Sequence, residues 1–384
     1  MSKKIAFVAT GYIKKYDGVS VYTENLLKEF LELKDIDAKD KIDIYIGESV
    51  SGLLKKRVGF ESANNIRFIE VSDRSFFSKI ISLHLKLFKN GKYSLVFTTN
   101  FMPLIFIPSN VVKVIHDLSP EISPHLYSKF FNFYHAYLLK SAKLFDSAIA
   151  YISDSTKLDL EKFYKINENN KKLLYLPNGI PFKVQNYPRP DKEVLKKYDL
   201  DEISFLVVGR INRAKGFDRI LEFCSYFDKF LQQQSEFKGA VLNIAGKQTI
   251  ESEEIFKNAD LINIKVIFCG YLDDVSLNEL YMKSQFCFFL SRNEGYGLPL
   301  VEALWFRSIP ILSDIQIFNE IMGEDYPKFN DKIGYKDTIS KFIFQILKDK
   351  DFLKSITDKL ELILKKEQNG YKRAAKNLNR YIRD

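Results

Sequence analysis

The most informative segment of the chain is Ser291-Arg-Asn-Glu-Gly-Tyr-Gly-Leu-Pro-Leu-Val-Glu-Ala-Leu304. It follows the apolar run Phe286-Cys-Phe-Phe-Leu290, which is short and aromatic, as is typical of a parallel strand covered on both faces. Gly295 and Gly297 permit a close turn, and Pro299 suits the first turn of a helix, where its missing N–H removes no hydrogen bond. We therefore expect a buried strand that passes through two glycines into a helix.

The N-terminus of this helix is a candidate site for an anionic ligand. Its unpaired N–H groups and the positive end of the helix dipole would stabilise a phosphate over Gly297 and Leu298. Glu294 and Glu302 flank that position, and their carboxylates would accept hydrogen bonds from hydroxyl groups. A diphosphate with a sugar on one side and a ribose on the other fits this pattern. A plain turn before a favourably charged first helical turn would fit it as well.

The segment Glu294-Gly-Tyr-Gly-Leu-Pro-Leu-Val-Glu302 resembles the Glu-x7-Glu motif of family 4 retaining glycosyltransferases. In that family the first Glu contacts the donor sugar, the second contacts the ribose, and the amides between them hold the diphosphate. The resemblance gives these roles to Glu294, to Glu302 and to the intervening backbone. The donor-binding amides would be those of Gly295, Tyr296, Gly297 and Leu298.

Length and composition indicate two globular domains. The chain has 384 residues, of which 46% are hydrophobic, so two domains of about 150 to 200 residues can each form a core. The apolar run within residues 1–10 is too short for a signal peptide or a membrane span and is predicted to be a strand. The three cysteines lack ligand-like spacing, so we expect buried thiols, a cytoplasmic setting and no metal site.

Apolar runs alternate with helical patterns along the chain, as in parallel α/β domains. In the first half these runs are Ile5–Ala9, Ile42–Ile46, Ile66–Ile69, Leu95–Thr98, Val111–Ile115, Ala148–Ile152 and Leu173–Leu176. In the second half they are Ile203–Val208, Ala240–Ala245, Lys265–Cys269, Phe286–Leu290 and Ile309–Leu312. The turn-rich segment Pro177-Asn-Gly-Ile-Pro181 between the halves predicts a domain boundary. A long aromatic helix is predicted over residues 126–144.

Four further residues resemble parts of the donor site of the family. Gly18 ends a glycine-bearing loop after the first strand, although Asp17-Gly18 replaces the usual pair of glycines. His116 stands at the carboxyl end of a strand, the sheet edge at which α/β proteins bind ligands, and the family places this His on the donor sugar. Arg210 and Lys215, in a Gly-Arg-x4-Lys-Gly pattern, resemble the cations that hold the diphosphate; loop cations and lone histidines are otherwise commonly solvated or structural.

Positive charge is concentrated in the first half of the chain. Residues 1–187 contain 27 Lys+Arg against 19 Asp+Glu, whereas the remainder contains 31 against 30. Such a face could meet an anionic membrane, an acidic acceptor or nucleic acid, and the last is not expected because no nucleic-acid motif accompanies it. A helix predicted over residues 76–88 has a wide apolar face. It would either contact a membrane or pack on the sheet with its lysines in solvent.

The resemblance implies an α/β protein with two Rossmann-like domains facing each other across a cleft, the GT-B fold. Residues 1–180 would bind the acceptor, residues 181–370 would bind the nucleotide sugar, and a helix over residues 371–384 would cross back to the first domain. The implied activity is metal-independent transfer of a hexosyl group, with retention, from a nucleotide-diphosphate sugar to a glycan or lipid-linked glycan in cell-surface polysaccharide assembly. His116 and Glu294 would be the catalytic residues, and no cofactor beyond the donor is expected.

Other functions stay open at this point. A catalytically idle two-domain protein could bind a nucleotide sugar and regulate another transferase. A sugar phosphorylase or nucleotide-sugar epimerase of related architecture would also carry much of this pattern. The location is expected to be cytoplasmic, with peripheral attachment to the inner face of the membrane as an alternative. The residues do not distinguish guanosine from uridine donors and do not name the acceptor.

Overall fold

A computed structural model describes residues 2–13, 17–33, 39–59, 65–100, 102–104, 107, 109–190, 198, 202–233, 237–247, 261–329 and 334–384. The chain divides into two compact units. Unit 1 comprises residues 1–179 and 369–384, and unit 2 comprises residues 180–368. Each unit contains a parallel sheet with flanking helices, so the predicted α/β class is confirmed.

Unit 1 is built on a seven-stranded parallel sheet in the order β3-β2-β1-β4-β5-β6-β7. Its strands are β1 (Lys4–Val8), β2 (Lys41–Gly47), β3 (Ile66–Val71), β4 (Leu95–Thr98), β5 (Val111–Ile115), β6 (Ala148–Tyr151) and β7 (Leu173–Tyr175). Its helices are α1 (Gly18–Leu31), α2 (Ser51–Val58), α3 (Phe76–Lys89), α4 (Ser119–Ile122), α5 (Lys129–Phe145), α6 (Asp154–Tyr164) and, at the end of the chain, α14 (Gly370–Arg383).

Unit 2 contains a six-stranded parallel sheet in the order β10-β9-β8-β11-β12-β13. Its strands are β8 (Glu202–Val208), β9 (Gly239–Ala245), β10 (Ile264–Gly270), β11 (Phe286–Phe289), β12 (Ile309–Ser313) and β13 (Lys328–Phe329). Its helices are α7 (Phe182–Gln185), α8 (Phe217–Leu231), α9 (Asp274–Lys283), α10 (Leu298–Trp305), α11 (Gln316–Met322), α12 (Tyr335–Lys348) and α13 (Lys350–Glu367).

The strand order of both sheets reverses beside the first strand, which is the order of a doubly wound Rossmann sheet. In unit 1 the reversal lies between β1 and β4, and in unit 2 it lies between β8 and β11. The connections on either side of such a reversal leave in opposite directions and open a crevice at the carboxyl ends of the strands. The sheet edge at β8 and β11 is therefore the place in unit 2 where a ligand is most readily bound.

An aromatic cluster holds the central strands of unit 2 in place. The ring of Phe205 in β8 lies 5.0 Å from that of Phe288 in β11, in a stacked arrangement. Phe223 and Phe227 of α8 pack on these rings, with centroids 5.3 Å from Phe288 and 5.7 Å from Phe205. All four rings are buried, so truncating one of them to Ala would cost about 3–5 kcal/mol. The cluster fixes the two strands that carry the candidate site.

Three sequence predictions differ from the structure in detail. The aromatic helix predicted from residue 126 begins at Lys129, because residues 124–126 form a separate 3-10 turn and Ser128 caps the helix by accepting from Phe131 N. The two-residue strand β13 has no predicted counterpart, since it is too short to show a periodic pattern. The helix predicted over residues 76–88 packs Leu83 and Leu87 into the core and leaves Lys89 in solvent, but Lys79 and Lys86 are only partly exposed and donate to the backbone carbonyls of Thr10 and Glu70.

Candidate active site

The motif segment has the predicted local structure at the carboxyl end of β11. The strand ends at Phe289, and α10 begins at Leu298 with Pro299 in its first turn. Gly297 precedes the helix with φ of 90°, in the left-handed region that side chains disfavour. A Cβ atom built on Gly297 would also lie 3.2 Å from the Phe318 ring. Glycine is therefore required where the chain turns into the helix.

A lysine from the neighbouring loop meets the first glutamate of the motif. Lys215 Nζ lies 2.5 Å from Glu294 Oε1, which also accepts from Ser291 Oγ at 2.8 Å. Lys215 is carried by a 3-10 turn over Arg213–Lys215 that follows β8. The two strands beside the strand-order reversal thus deliver one cation and one carboxylate to the same place.

Gly216 brings the lysine loop into direct contact with the end of β11. Its φ is 72°, and a Cβ atom there would lie 1.9 Å from the carbonyl oxygen of Leu290. No side chain can be accommodated at that distance, whether or not neighbouring side chains move, because the obstacle is backbone. The Lys-Gly pair of the sequence pattern therefore has a steric reason: the glycine allows the lysine to sit against the motif strand.

An ion pair that the sequence analysis missed fastens the two loops together. Arg292 Nη1 and Nη2 donate to the two carboxylate oxygens of Asp218 at 2.8 and 2.7 Å, and Arg292 N donates to the carbonyl of Ala214 at 2.9 Å. Burial raises the pKa of Asp218, but the hydrogen bonds and charge of Arg292 outweigh it, so the pKa lies below its usual value. This clamp sets the separation of Lys215 and Glu294. Asp218 and Arg292 are 74 residues apart, and no local pattern links them.

A cavity of about 70 Å³ lies at this edge of the sheet, and Lys215, Glu294 and Gly297 line it together. Arg210, the other predicted cation, is exposed on the loop after β8 and is not among the lining residues. Gly295 and Leu298 of the same motif segment are partly exposed. Tyr296 is buried, and its hydroxyl donates to Glu367, so only its backbone is presented to a ligand.

The second glutamate of the motif is held by a different set of residues. Glu302 is 4% exposed, lies 3.0 Å from Lys183 Nζ and accepts from Tyr281 OH at 3.1 Å. Burial lowers the pKa of Lys183, but the charges of Glu302 and Asp274 outweigh burial and raise it. Lys183 belongs to the turn-rich segment after the domain boundary, where no sequence signal distinguishes it from a solvated lysine. A ribose bound at Glu302 would have to share the carboxylate with Lys183.

His116 and Gly18 lie in unit 1, at the carboxyl ends of its strands. His116 Nε2 lies 2.7 Å from the carbonyl oxygen of Thr99, and the His ring meets the Tyr22 ring edge-on at 4.9 Å. Burial lowers the pKa of His116 and so favours the neutral ring, although the hydrogen bond to Thr99 acts in the opposite direction. A neutral ring that donates through Nε2 has Nδ1 as an acceptor for a hydroxyl group.

The glycine loop of unit 1 departs from the family pattern for a local reason. Gly18 is exposed and is the first residue of α1, and Asp17 is its N-cap. The Asp17 carboxylate accepts from Ser20 N at 2.9 Å and from Ser20 Oγ at 2.8 Å. The Asp17 side chain satisfies a backbone N–H at the helix N-terminus that a glycine at position 17 would leave without this bond. The Asp117 carboxylate, next to His116, likewise accepts a hydrogen bond from a nearby backbone group, Ser119 N.

The edge of unit 2 can stabilise an anion and orient hydroxyl groups. Lys215 and the first N–H groups of α10 supply positive charge, and Glu294 supplies an acceptor for hydroxyls. Among the described residues, no group of three or more His, Cys, Asp or Glu side chains could hold a metal ion. Within the same ranges, no helix is long and apolar enough to cross a membrane.

Comparison with known proteins places this geometry in a family context. Residues 190–373 match the family model described as glycosyl transferases group 1. The chain is 27% identical over 231 residues to the serotype-specific mannosyltransferase WbdA of Escherichia coli, a match that covers 60% of this chain and 28% of the length of that relative.

Solved structures resemble the whole chain. A crystal structure of Anabaena Alr3699/HepE in complex with UDP and glucose matches with a TM-score of 0.70 and 16% identity, over 98% of this chain and 99% of that one. The structure of WaaG, a glycosyltransferase involved in lipopolysaccharide biosynthesis, matches with a TM-score of 0.68 and 13% identity, over 97% and 98% of the two chains. Residues 190–373 thus match the glycosyl transferases group 1 family, and the chain as a whole has the two-unit α/β fold of GT-B glycosyltransferases.

Proposed function

We propose that this protein transfers a hexosyl group from a nucleotide-diphosphate sugar to a glycan or lipid-linked glycan, with retention of configuration, as family 4 glycosyltransferases do. The observation that carries the proposal is the meeting of Lys215, Glu294 and the N-terminus of α10 at the strand-order reversal of unit 2. This is the combination that a sugar diphosphate requires: positive groups for the phosphates beside an acceptor for sugar hydroxyls.

The proposed catalysis rests on stabilising the leaving group. Negative charge develops on the diphosphate as the glycosidic bond breaks, and fixed positive groups aimed at that charge lower the barrier most effectively. Lys215, Arg210 and the first amides of α10 would supply those groups. Glu294 and His116 would position the sugar, His116 through its Nδ1 acceptor. No residue is assigned as a nucleophile, so we propose a front-face course in which the leaving phosphate assists the acceptor.

The ion pair between Lys215 and Glu294 gives the donor a specific task on binding. A diphosphate would compete with Glu294 for Lys215, because a charge-assisted contact to phosphate is as strong as one to a carboxylate. Glu294 would then be released to accept hydroxyl hydrogen bonds from the sugar. Donor binding would therefore also free the Glu294 carboxylate for the sugar. The ion pair between Arg292 and Asp218 would hold the two loops at a fixed separation meanwhile.

The relatives suggest the donors and acceptors to test. WbdA is named as a mannosyltransferase, and the Anabaena structure contains UDP and glucose. We therefore propose uridine- and guanosine-diphosphate sugars carrying glucose or mannose as the first donors. A glycan of cell-surface polysaccharide assembly is the proposed acceptor. Unit 2 would bind the donor and unit 1 the acceptor, in a cytoplasmic protein whose docking on an anionic membrane remains a prediction.

Calorimetry with UDP and GDP tests the proposed site directly. Arg210→Ala and Lys215→Ala should each weaken nucleoside diphosphate binding about tenfold to a hundredfold, as expected for loss of a charged hydrogen bond. Lys341→Ala, which removes an exposed lysine of α12, is the matched control and should leave binding unchanged. Unchanged binding in both site variants would remove these cations from the donor site.

Turnover assays separate the alternative functions. Slow hydrolysis of the donor by purified protein, and transfer when an acceptor is added, would distinguish an enzyme from an idle partner that only binds nucleotide sugar. Dependence on inorganic phosphate would indicate a phosphorylase, and interconversion of the sugar without an acceptor would indicate an epimerase. Analysis of the anomeric configuration of the product decides whether transfer proceeds with retention.

A further inference from the structure

Helix α3 of unit 1 turns an apolar stripe outward. The exposed side chains of this stripe recur every three or four residues and therefore lie on one face of the helix. They are Phe77, Ile81, Leu85 and Phe88. Phe77 is 75% exposed and Leu85 is 65% exposed, whereas Leu83 and Leu87 on the opposite side are buried. The helix has a second apolar face beyond the one that its core contacts require.

Helix α5 carries a similar stripe. Phe131 and Phe145 of this helix are also exposed, and four further exposed apolar side chains are spaced by helical repeats. They are Phe130, Phe133, Tyr137 and Leu144. Phe130 and Phe133 are 78% and 73% exposed, although phenylalanine is among the residues most often buried.

Aromatic contacts join the two stripes into one surface. The ring of Phe76 in α3 lies 5.7 Å from that of Tyr134 in α5. Phe76 also lies 5.9 Å from Phe77, and Tyr134 lies 6.5 Å from Phe130. We call the exposed apolar side chains of α3 and α5, together with these bridging rings, the aromatic face. Contiguous exposed apolar surfaces of this kind mark interaction sites in soluble domains.

The two helices that carry the aromatic face contain basic side chains but no acidic ones. Residues 74–116 and 122–145, which include both helices, have no Asp or Glu. Exposed lysines accompany the stripes at Lys89 and Lys92 and at Lys129 and Lys140. Unit 1 as a whole has 31 Lys+Arg against 20 Asp+Glu, a net charge of +11, whereas unit 2 has 27 against 29. The expected partner is therefore apolar and anionic.

We propose that the aromatic face docks on the surface of an anionic lipid bilayer. Aromatic and aliphatic side chains enter the boundary between headgroups and acyl chains, and flanking lysines keep their charge among the anionic headgroups. Attachment through two stripes would hold unit 1 in one orientation on the membrane. A lipid-linked acceptor rather than a free glycan would follow; that step rests on the proposed transfer activity, whereas membrane binding does not.

Co-sedimentation of the full chain with phosphatidylglycerol–phosphatidylcholine vesicles tests the proposal. One variant combines Phe77→Ser with Leu85→Ser, and a second combines Phe130→Ser with Phe133→Ser. Each should lower the vesicle partition coefficient about tenfold or more, because two large apolar side chains that would be buried in the bilayer have been removed. The matched control combines Tyr271→Ser with Leu362→Ser in unit 2, where the side chains are 70% and 68% exposed, and should bind like the unaltered protein.

A second measurement distinguishes insertion from simple charge attraction. Fluorescence of Phe133→Trp should be quenched by brominated lipid, and that of Tyr271→Trp should not. Absence of binding to anionic vesicles at low salt, or an equal loss in the unit 2 control, would overturn the proposal. So would a dimer in light scattering that the Phe77/Leu85 variant dissociates, since the face would then join two copies of the chain. Melting temperature and UDP binding should be unchanged in every variant, so a failed donor site is recognised separately.

Discussion

Replacing Glu294 by Gln should separate nucleotide binding from turnover. Gln keeps the size of the side chain and can still accept one hydrogen bond, but it removes the charge that holds Lys215 at 2.5 Å. Lys215 then meets an incoming diphosphate without first giving up an ion pair, and the diphosphate no longer approaches a neighbouring carboxylate. We expect UDP or GDP to bind Glu294→Gln at least as tightly as the unaltered protein, while sugar transfer falls.

The magnitude follows from the exposure of the pair. The side chains of Lys215 and Glu294 are 38% and 17% exposed, so solvent screens the pair, and about 0.2–1 kcal/mol is the appropriate range. The upper value corresponds to about a fivefold decrease in the dissociation constant. Turnover should fall about a hundredfold or more, as is typical when a fixed polar group is lost from the transition state. Lys215→Met should instead weaken nucleotide binding.

Isothermal calorimetry with free nucleoside diphosphate and single-turnover transfer assays provide the two readouts. Ser291→Ala is a useful control, because it removes one hydrogen bond to Glu294 but leaves the charge in place. If Glu294→Gln weakened nucleotide binding as strongly as Lys215→Met, Glu294 would belong to the nucleotide site itself. The proposed competition between phosphate and Glu294 for Lys215 would then be refuted.

Four other predictions test the scaffold and the chemistry. Gly216→Ala should destabilise unit 2 by about 3 kcal/mol or more and lower its melting temperature by roughly 6 to 12 °C. The control Gly52→Ala, at a position with open space around it, should be neutral or slightly stabilising. Lys113→Met should cost about 3–5 kcal/mol, because it leaves Asp146 buried without its ion-pair partner, and adding Asp146→Leu should restore most of the loss; an uncorrected loss in the double variant would contradict this. Burial raises the pKa of Asp146 from 3.8 to about 6, so its contribution to stability is present below pH 3.8 and is lost as pH rises through 6. The free energy of unfolding, measured with a chemical denaturant, should therefore fall across this pH window in the unaltered protein but not in the double variant. Transfer should persist in chelator, since Lys215, Arg210 and backbone amides replace a metal on the diphosphate, and a metal-reversible loss of turnover would argue against that mechanism.

The sequence predicted the local structure of the candidate site well because neighbouring residues control it. An apolar run before Ser291, a glycine at position 297 and a proline in the next turn restrict the backbone whatever surrounds them. Alternation of strands with helices predicted parallel sheets for the same reason, since each pattern extends over only a few residues. Two-residue β13 and the true start of α5 escaped prediction because periodicity needs length, and capping chooses the boundary.

The identity of each side chain's partner was decided only by the tertiary structure. Lys183 pairs with Glu302 across more than a hundred residues, and Arg292 clamps Asp218 across 74. A lysine in a turn-rich segment looks the same in sequence whether it is solvated or bound to a buried carboxylate. Packing of α7 against α10 brings Lys183 to Glu302. Strand order brings the loops after β8 and β11 to one edge of the sheet, where Arg292 meets Asp218.

The direction of the amphipathic helices was likewise decided by packing. The composition of α3 contains enough apolar residues for two faces, and the sequence alone shows that it is amphipathic without showing which face meets the sheet. In the structure Leu83 and Leu87 are buried, Lys79 donates a hydrogen bond to the carbonyl of Thr10, and Phe77 is exposed to solvent. Burial depends on which face fits the neighbouring strands, and that fit is a property of the assembled sheet rather than of the helix.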